Sequence, residues 1–400
     1  MDNPKQDMRD VQHFGEEGGV VPAIEVAATS SFINPEDMAK TMAGEMEGCY
    51  LYSRHSNPTL SMFNEKIAAM DSMEAALGTA SGMAAIACAM YQLMPEGGHI
   101  VSSRTIYGGT YALFANIFPH RNIDVTFVPT RDVSAFEKAI TPKTKALYVE
   151  ALSNPLLRVP DFKALSKIAK KHKIKLVVDN TFTPFVVSPA KLGADIILYS
   201  CTKYISGASD LVGGAIVGSK TFIDELKDIH RGYVMLHGPV MDSRIAHVLY
   251  LRLDHLPVRM AAHSKSALYL AERLEKEGIN VIYPGLESHG QHNFAKEIMK
   301  KEYGFGGMVT IDCGSKEFSL KLAEELQNKK FGLYAVSLGF SRTLISCPAG
   351  TTSSEIPEEE REKMGLTDGL IRLSVGFTGD DEIMTERFLD CYKTVAKSVK

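Results

Sequence analysis

The sequence predicts an α/β fold, with a large domain on a mostly parallel sheet and a smaller α/β domain after it. Between residues 63 and 217, helical segments alternate with short apolar strands at the spacing of βα units. Those strands are near-continuous apolar runs, such as ADIILY at 194–199, as expected of strands covered on both faces. Beyond a long helical region at 241–276, strand-like runs again mix with helices, which places the second domain.

The first sixty residues are rich in Gly, Pro and Asn and show little periodicity, so they read as irregular. A lone domain could not easily bury them. Residues 1–60 are therefore expected to form an arm on a neighbouring subunit, 61–255 the large domain and 256–400 the C-terminal domain. Within the large domain, helices are expected over 63–77 and 83–94, then a strand at 100–102 and a helix from 110. A strand at 125–128, a helix at 133–140, a strand at 146–150 and a helix at 162–171 follow. Strands at 175–179, 194–200 and 214–217 complete the set. The C-terminal domain is expected to hold strands at 281–283, 308–312 and 370–376, with helices at 317–327 and 381–397.

Composition limits the function. The 400 residues are 45% hydrophobic and 23% charged, ordinary for a globular chain with a sizeable core. A net charge of -4 gives no reason to expect nucleic acid or an acidic membrane surface as partner. No apolar run reaches the roughly 18 residues that a membrane-spanning helix needs. The start, MDNPKQDMRD, has no signal-peptide apolar region, so a cytoplasmic location is expected. Cys49, Cys88, Cys201, Cys313, Cys347 and Cys391 are scattered with no C-x-x-C spacing, which points to reduced thiols and no metal site.

The chemistry-bearing residues sit where strands end. Lys203 follows the run at 194–199 within Ser200-Cys201-Thr202-Lys203-Tyr204, and a Gly-rich stretch comes after it. A lysine at a strand end, flanked by hydroxyls, suits a Schiff-base amine beside a phosphate. Asp179 ends the strand KLVVD, 24 residues earlier. It is either a helix cap or turn former, or the acid that keeps a pyridine nitrogen protonated. Together the two are the protein groups that pyridoxal phosphate (PLP) chemistry needs most. Ser81-Gly82-Met83 precedes a helix and is either an N-cap or a phosphate cradle. Tyr107-Gly108-Gly109-Thr110 is either a Gly-rich turn or a ring stacked on a flat cofactor beside closely approaching backbone. Asn154, after Glu150, either bonds a ring hydroxyl or holds its loop. Arg372 lies in an apolar run, and its partner is either a structural carboxylate or that of a substrate.

In this order the motifs resemble the Cys/Met-metabolism family of PLP enzymes, nearly end to end. They are YSRHSNPT at 52–59, ASGMAAI at 80–86, YGGT at 107–110, VVDNTF at 177–182, SCTKYISG at 200–207, VSLG at 336–339 and LIRLSVG at 370–376. The family includes methionine γ-lyases, cystathionine γ-lyases, cystathionine γ-synthases and O-acylhomoserine sulfhydrylases. The resemblance implies the type I PLP-dependent transferase (aspartate aminotransferase-like) fold and a homotetramer of two active dimers. It implies Lys203 as Schiff-base lysine, Asp179 at the ring nitrogen and Tyr107 as stacking ring and acid/base. Ser81, Gly82, Met83, Ser200 and Thr202 would hold the phosphate, and Tyr52 and Arg54 would reach that of the neighbouring subunit. Ser337 and Arg372 would bind the carboxylate of a sulfur amino acid.

Val336 stands where cystathionine γ-lyases usually carry Glu, as it does in methionine γ-lyases, and favours a thioether over a charged distal group. Gly109 stands where methionine γ-lyases typically have Cys, and matches the sulfhydrylases and cystathionine enzymes. Ser353 replaces a His, and 231–237 lacks the Lys-Asp pair of the methionine γ-lyase pocket. The expected reaction is C–S cleavage by γ-elimination, from L-methionine or L-homocysteine. The alternatives are γ-replacement on an O-acylhomoserine, or cystathionine cleavage.

Overall fold

The computed structural model describes residues 3–15, 18–46, 48–351 and 353–399. Thr352, in the segment that ends at Ser353, lies outside them. Seven strands form one sheet: β1 Ala75–Thr79, β2 Gly98–Ser103, β3 Ile123–Val128, β4 Thr144–Glu150, β5 Lys175–Asp179, β6 Ile196–Ser200 and β7 Gly214–Gly218, in the order β1-β7-β6-β5-β4-β2-β3. Five more form a second sheet: β8 Asn280–Ile282, β9 Met308–Asp312, β10 Leu333–Tyr334, β11 Leu344–Ser346 and β12 Leu370–Ser374, in the order β10-β11-β12-β9-β8. The chain divides into two compact units, one of 1–95, 198–202 and 211–255, the other of 96–197, 203–210 and 256–400.

In the first unit, β1 and β7 pair antiparallel. The sequence predicts a single helix over 63–77, but the helix is Pro58–Asp71 and a strand follows it. Ser72 ends the helix in a left-handed conformation, φ 55°, with its N–H on the carbonyls of Ala68 and Ala69. Ala-Ala-Leu then extends, although its propensity is helical. Gly78 lets this strand close on the helix, since a Cβ there would lie 2.8 Å from Leu60 Cδ1.

The first sixty residues are not wholly irregular. Helices run over Pro4–Asp10 and Pro35–Met42. Both these and Pro58–Asp71 start with Asn-Pro, the Asn side chain accepting a backbone N–H and the Pro in the first turn. The expected helical region at 241–276 is two helices, Ser243–Leu253 and Leu256–Lys276.

In the second unit, β3, β2, β4 and β5 pair in parallel, as their apolar runs predict. β4 and β5 pair residue for residue from Ala146 with Lys175 to Glu150 with Asp179, so two acids end level. The same unit contains the five-stranded sheet. Its inner face, Val309, Ile311, Ile371 and Leu373, packs with Leu322 and Leu326 of the helix Lys316–Asn328 and with Phe388 and Leu389 of the helix Asp381–Ser398. β10 and β11, too short for a sequence signal, add the edge that leads into VSLG.

Phe388 is fully buried, edge-on to Phe331 at 5.3 Å between ring centres. Phe388→Ala should therefore cost about 3–5 kcal/mol, read as a lower urea midpoint for the unfolding of this sheet.

Candidate active site

Parallel strands present their carboxyl ends together, and there the second unit gathers its candidate side chains. Glu150 ends β4 and Asp179 ends β5. Glu150 Oε1 accepts the N–H of Tyr107 at 2.6 Å, and Oε2 accepts that of Asn154 at 3.0 Å. Asp179 accepts the N–H of Thr181 at 2.9 Å. Burial raises both acids, Glu150 the further because Asp179 adds to it, whereas Thr181 hydrogen bonds hold Asp179 down. The backbone N–H bonds from Tyr107 and Asn154 in turn hold Glu150 down.

Lys203 leaves the end of β6 and its Nζ donates to Ser337 Oγ at 2.8 Å. Burial, and after it the Arg372 guanidinium, bring its ammonium down to about 8. Arg372, in the middle of β12, is 2% exposed. Its Nη1 donates to Asn154 Oδ1 at 3.0 Å and its Nη2 to the Ser337 carbonyl at 3.1 Å, while its Nε is buried with no hydrogen-bond partner. Among the described residues no carboxylate forms an ion pair with either Lys203 or Arg372.

The VSLG loop is shaped to reach these groups. Ser337 is held at φ 97°, a strained value for a residue with a side chain. Gly339, at φ 79°, would place a Cβ 2.5 Å from the Tyr204 nitrogen, so only glycine lets the loop lie against the backbone after Lys203. Val336, next to Ser337, is 63% exposed. Tyr107 stands at the start of the helix Gly108–Ala112, its ring over Gly109, where a Cβ would come within 2.6 Å of Tyr107 Cε1.

The first unit holds a cluster of another kind. Ser81 caps the helix Gly82–Leu93, its Oγ accepting the Ala84 N–H at 3.1 Å, and Met83 lies in the first turn. A Cβ on Gly82 would lie 2.7 Å from Ser200 Cβ, and one on Gly214 would lie 2.2 Å from the Ser81 carbonyl oxygen. Thr202 Oγ1 accepts the Gly213 N–H at 3.1 Å. A helix N-terminus with bare backbone and hydroxyls around it is suited to a phosphate. Tyr52 and Arg54 make other contacts in this chain. Arg54 donates to the Met235 carbonyl at 2.8 Å and stands over the Tyr52 ring at 5.7 Å.

Several observations fit PLP. The Lys203 amine has a neutral hydroxyl as partner and is pressed toward its nucleophilic form. A buried guanidinium has a donor to spare for an anion. The Gly82 turn admits no side chain where its backbone meets Ser200. The Cys/Met metabolism PLP-dependent enzyme model matches residues 9–386.

The chain belongs to that family.

Its relatives within the family differ in reaction. It is 43% identical to a methionine gamma-lyase of Arabidopsis thaliana over 384 residues, 94% of this chain and 87% of that one. It is 37% identical to an O-succinylhomoserine sulfhydrylase of Pseudomonas aeruginosa over 364 residues, 90% and 88% of the two chains. A Campylobacter jejuni crystal structure containing N'-pyridoxyl-lysine-5'-monophosphate superposes with a TM-score of 0.90 at 29% identity, covering 98% of this chain and all of that one. Like its family, the chain is a PLP-dependent enzyme of the type I fold. No helix among the described residues is long and apolar enough to cross a membrane.

Sequence reasoning gave Glu150 no role of its own. The signal was present, because TKALYVE, like KLVVD, is a buried strand closed by an acid. It also left open whether Asn154 serves a ring or its loop, and here the Asn154 oxygen holds Arg372.

Apoprotein should capture PLP at a rate that rises through about pH 8 as Lys203 loses its proton. In Arg372→Met a charge that disfavours the ammonium is gone, so the midpoint of that rise should move up. Stopped-flow absorbance across pH checks both. Gly214→Ala should push on the Ser81–Gly82 turn and weaken PLP retention about tenfold, read by equilibrium dialysis.

Proposed function

We propose that the enzyme is a C–S lyase that cleaves L-methionine or L-homocysteine by γ-elimination. With one water, methionine yields 2-oxobutyrate, ammonia and methanethiol. The observation that carries this reading is the exposed apolar Val336 beside the Ser337–Arg372 pair. A substrate carboxylate on Arg372 would set its distal end near an apolar side chain, which suits a thioether better than a second ammonium. The likeness to the Arabidopsis thaliana methionine gamma-lyase supports it.

Lys203, Asp179, Tyr107 and Asn154 would hold the ring of PLP, and Ser81, Gly82, Met83, Ser200 and Thr202 its phosphate. When bound, PLP supplies the electron sink that acidifies the proton on the substrate Cα. Asp179 would keep a proton on the ring nitrogen. Arg372 and Ser337 fix the substrate carboxylate, and this orients Cα toward the Lys203 amine. Neutral Lys203 would take the α-proton, give it up again and, once more neutral, take one from Cβ, and the Tyr107 hydroxyl would give its proton to the departing sulfur. The proposal includes a cytoplasmic homotetramer in which Tyr52 and Arg54 of each arm reach the phosphate of a neighbouring subunit. The residue bounds 1–60, 61–255 and 256–400 for arm, large domain and C-terminal domain belong to it as well.

A second reading, γ-replacement on an O-acylhomoserine, has its own observation in Gly109. The Tyr107 ring lies where a side chain at 109 would be, so this position cannot carry the Cys of typical methionine γ-lyases without moving the ring. The sulfhydrylase relative agrees with it.

With PLP present and no thiol added, L-methionine alone should release 2-oxobutyrate, and Lys203→Ala should abolish the release. No release from PLP-loaded protein, together with homocysteine formed from an acylhomoserine and sulfide, would give the second reading its place. Release from cystathionine alone would identify a cystathionine lyase.

A further inference from the structure

We propose that Glu150 is the positioning residue of this site, holding the Tyr107 ring on one side and, through Asn154, the Arg372 fork on the other. The inference rests on the PLP-enzyme reading above and adds to it a residue with no role assigned so far. Its basis is connectivity. Two loops from different parts of the chain each send one backbone N–H to this carboxyl, Tyr107 to Oε1 and Asn154 to Oε2. From Asn154 the contacts continue through its Oδ1 to Arg372, from Arg372 to the Ser337 carbonyl, and from the Ser337 hydroxyl to Lys203. Glu150 is where the Tyr107 loop joins that series.

The chemistry selects glutamate. The position needs two acceptor atoms at one side-chain tip, aimed at two donors. Glutamine offers one acceptor and turns an NH₂ toward the other N–H. Aspartate is one methylene short. The tip is also fixed from behind. Glu150 is 6% exposed, its strand is in register with Asp179, and the Ala151 N–H donates to the Asp179 carbonyl at 2.8 Å. Water has little access to replace a lost bond, so a missing acceptor leaves a buried donor unpaired.

Glu150→Gln and Glu150→Ala, each loaded with PLP, test this. The readouts are the visible circular dichroism of bound PLP, which reports how the ring is held, the dissociation constant for glycine by spectral titration, which reports the carboxylate fork without turnover, and kcat and KM for L-methionine. Glu150→Ala should change the dichroic band, weaken glycine binding and lower kcat/KM about 100-fold, with KM raised as well as kcat lowered. Glu150→Gln keeps one bond and should lose about tenfold. A merely structural residue would lower the thermal midpoint and leave the band and the glycine constant of the folded, loaded protein alone. That result in Glu150→Gln overturns the proposal, and this variant decides if Glu150→Ala does not fold. Wild-type protein that fails to cleave methionine would overturn the lyase reading alone, since the dichroic band and glycine binding need no turnover and still judge Glu150.

Discussion

The parallel pairing of β4 with β5 brings Glu150 level with Asp179, so two carboxyl groups meet at strand ends, Glu150 buried and Asp179 half-buried. Burial and their closeness work against two full charges there. Different partners offset this, backbone donors from two loops for Glu150 and the Thr181 N–H for Asp179. On the proposed reading, a basic ring nitrogen would meet Asp179 in a defined position. The neighbouring cations follow a matching logic. Arg372 and Lys203 lie among neutral oxygens, so they carry positive charge that an anion such as a carboxylate can satisfy from outside.

Much of this was legible in the sequence because buried parallel strands are spelled as unbroken apolar runs, and their last letters fall at the functional edge. Lys203 and Asp179 stand out as candidates that way, and the alternation of segments points to the architecture. The misreadings have physical causes too. Ala-Ala-Leu-Gly-Thr at 75–79 has the letters of a helix, and it extends because Ser72 closes the preceding helix in a left-handed turn. β10 and β11 span two and three residues, too few for any period to register. The short helices of the first sixty residues had a signal in their shared Asn-Pro starts, which the low periodicity of the segment hid.

The side-chain links at the site lay beyond a reading of one chain position at a time. That Asn154 turns its oxygen to Arg372, or that Ser337 serves Lys203 with its hydroxyl and Arg372 with its carbonyl, follows from segments 218, 134 and 35 residues apart in sequence. Spacing within a motif carries no record of such contacts. The sequence named candidate groups and could not say which of them touch.

The VSLG loop has a consequence for how such an enzyme changes its diet. Ser337 is committed twice over and held in an unfavourable backbone conformation, and Gly339 has no room for a carbon atom. Val336 between Tyr334 and these fixed positions points to solvent and supports nothing in the core. A substitution at 336 therefore leaves the fixed positions beside it undisturbed. On the proposed reading it would change which sulfur compound the site favours, and it makes 336 the natural place to begin a saturation library.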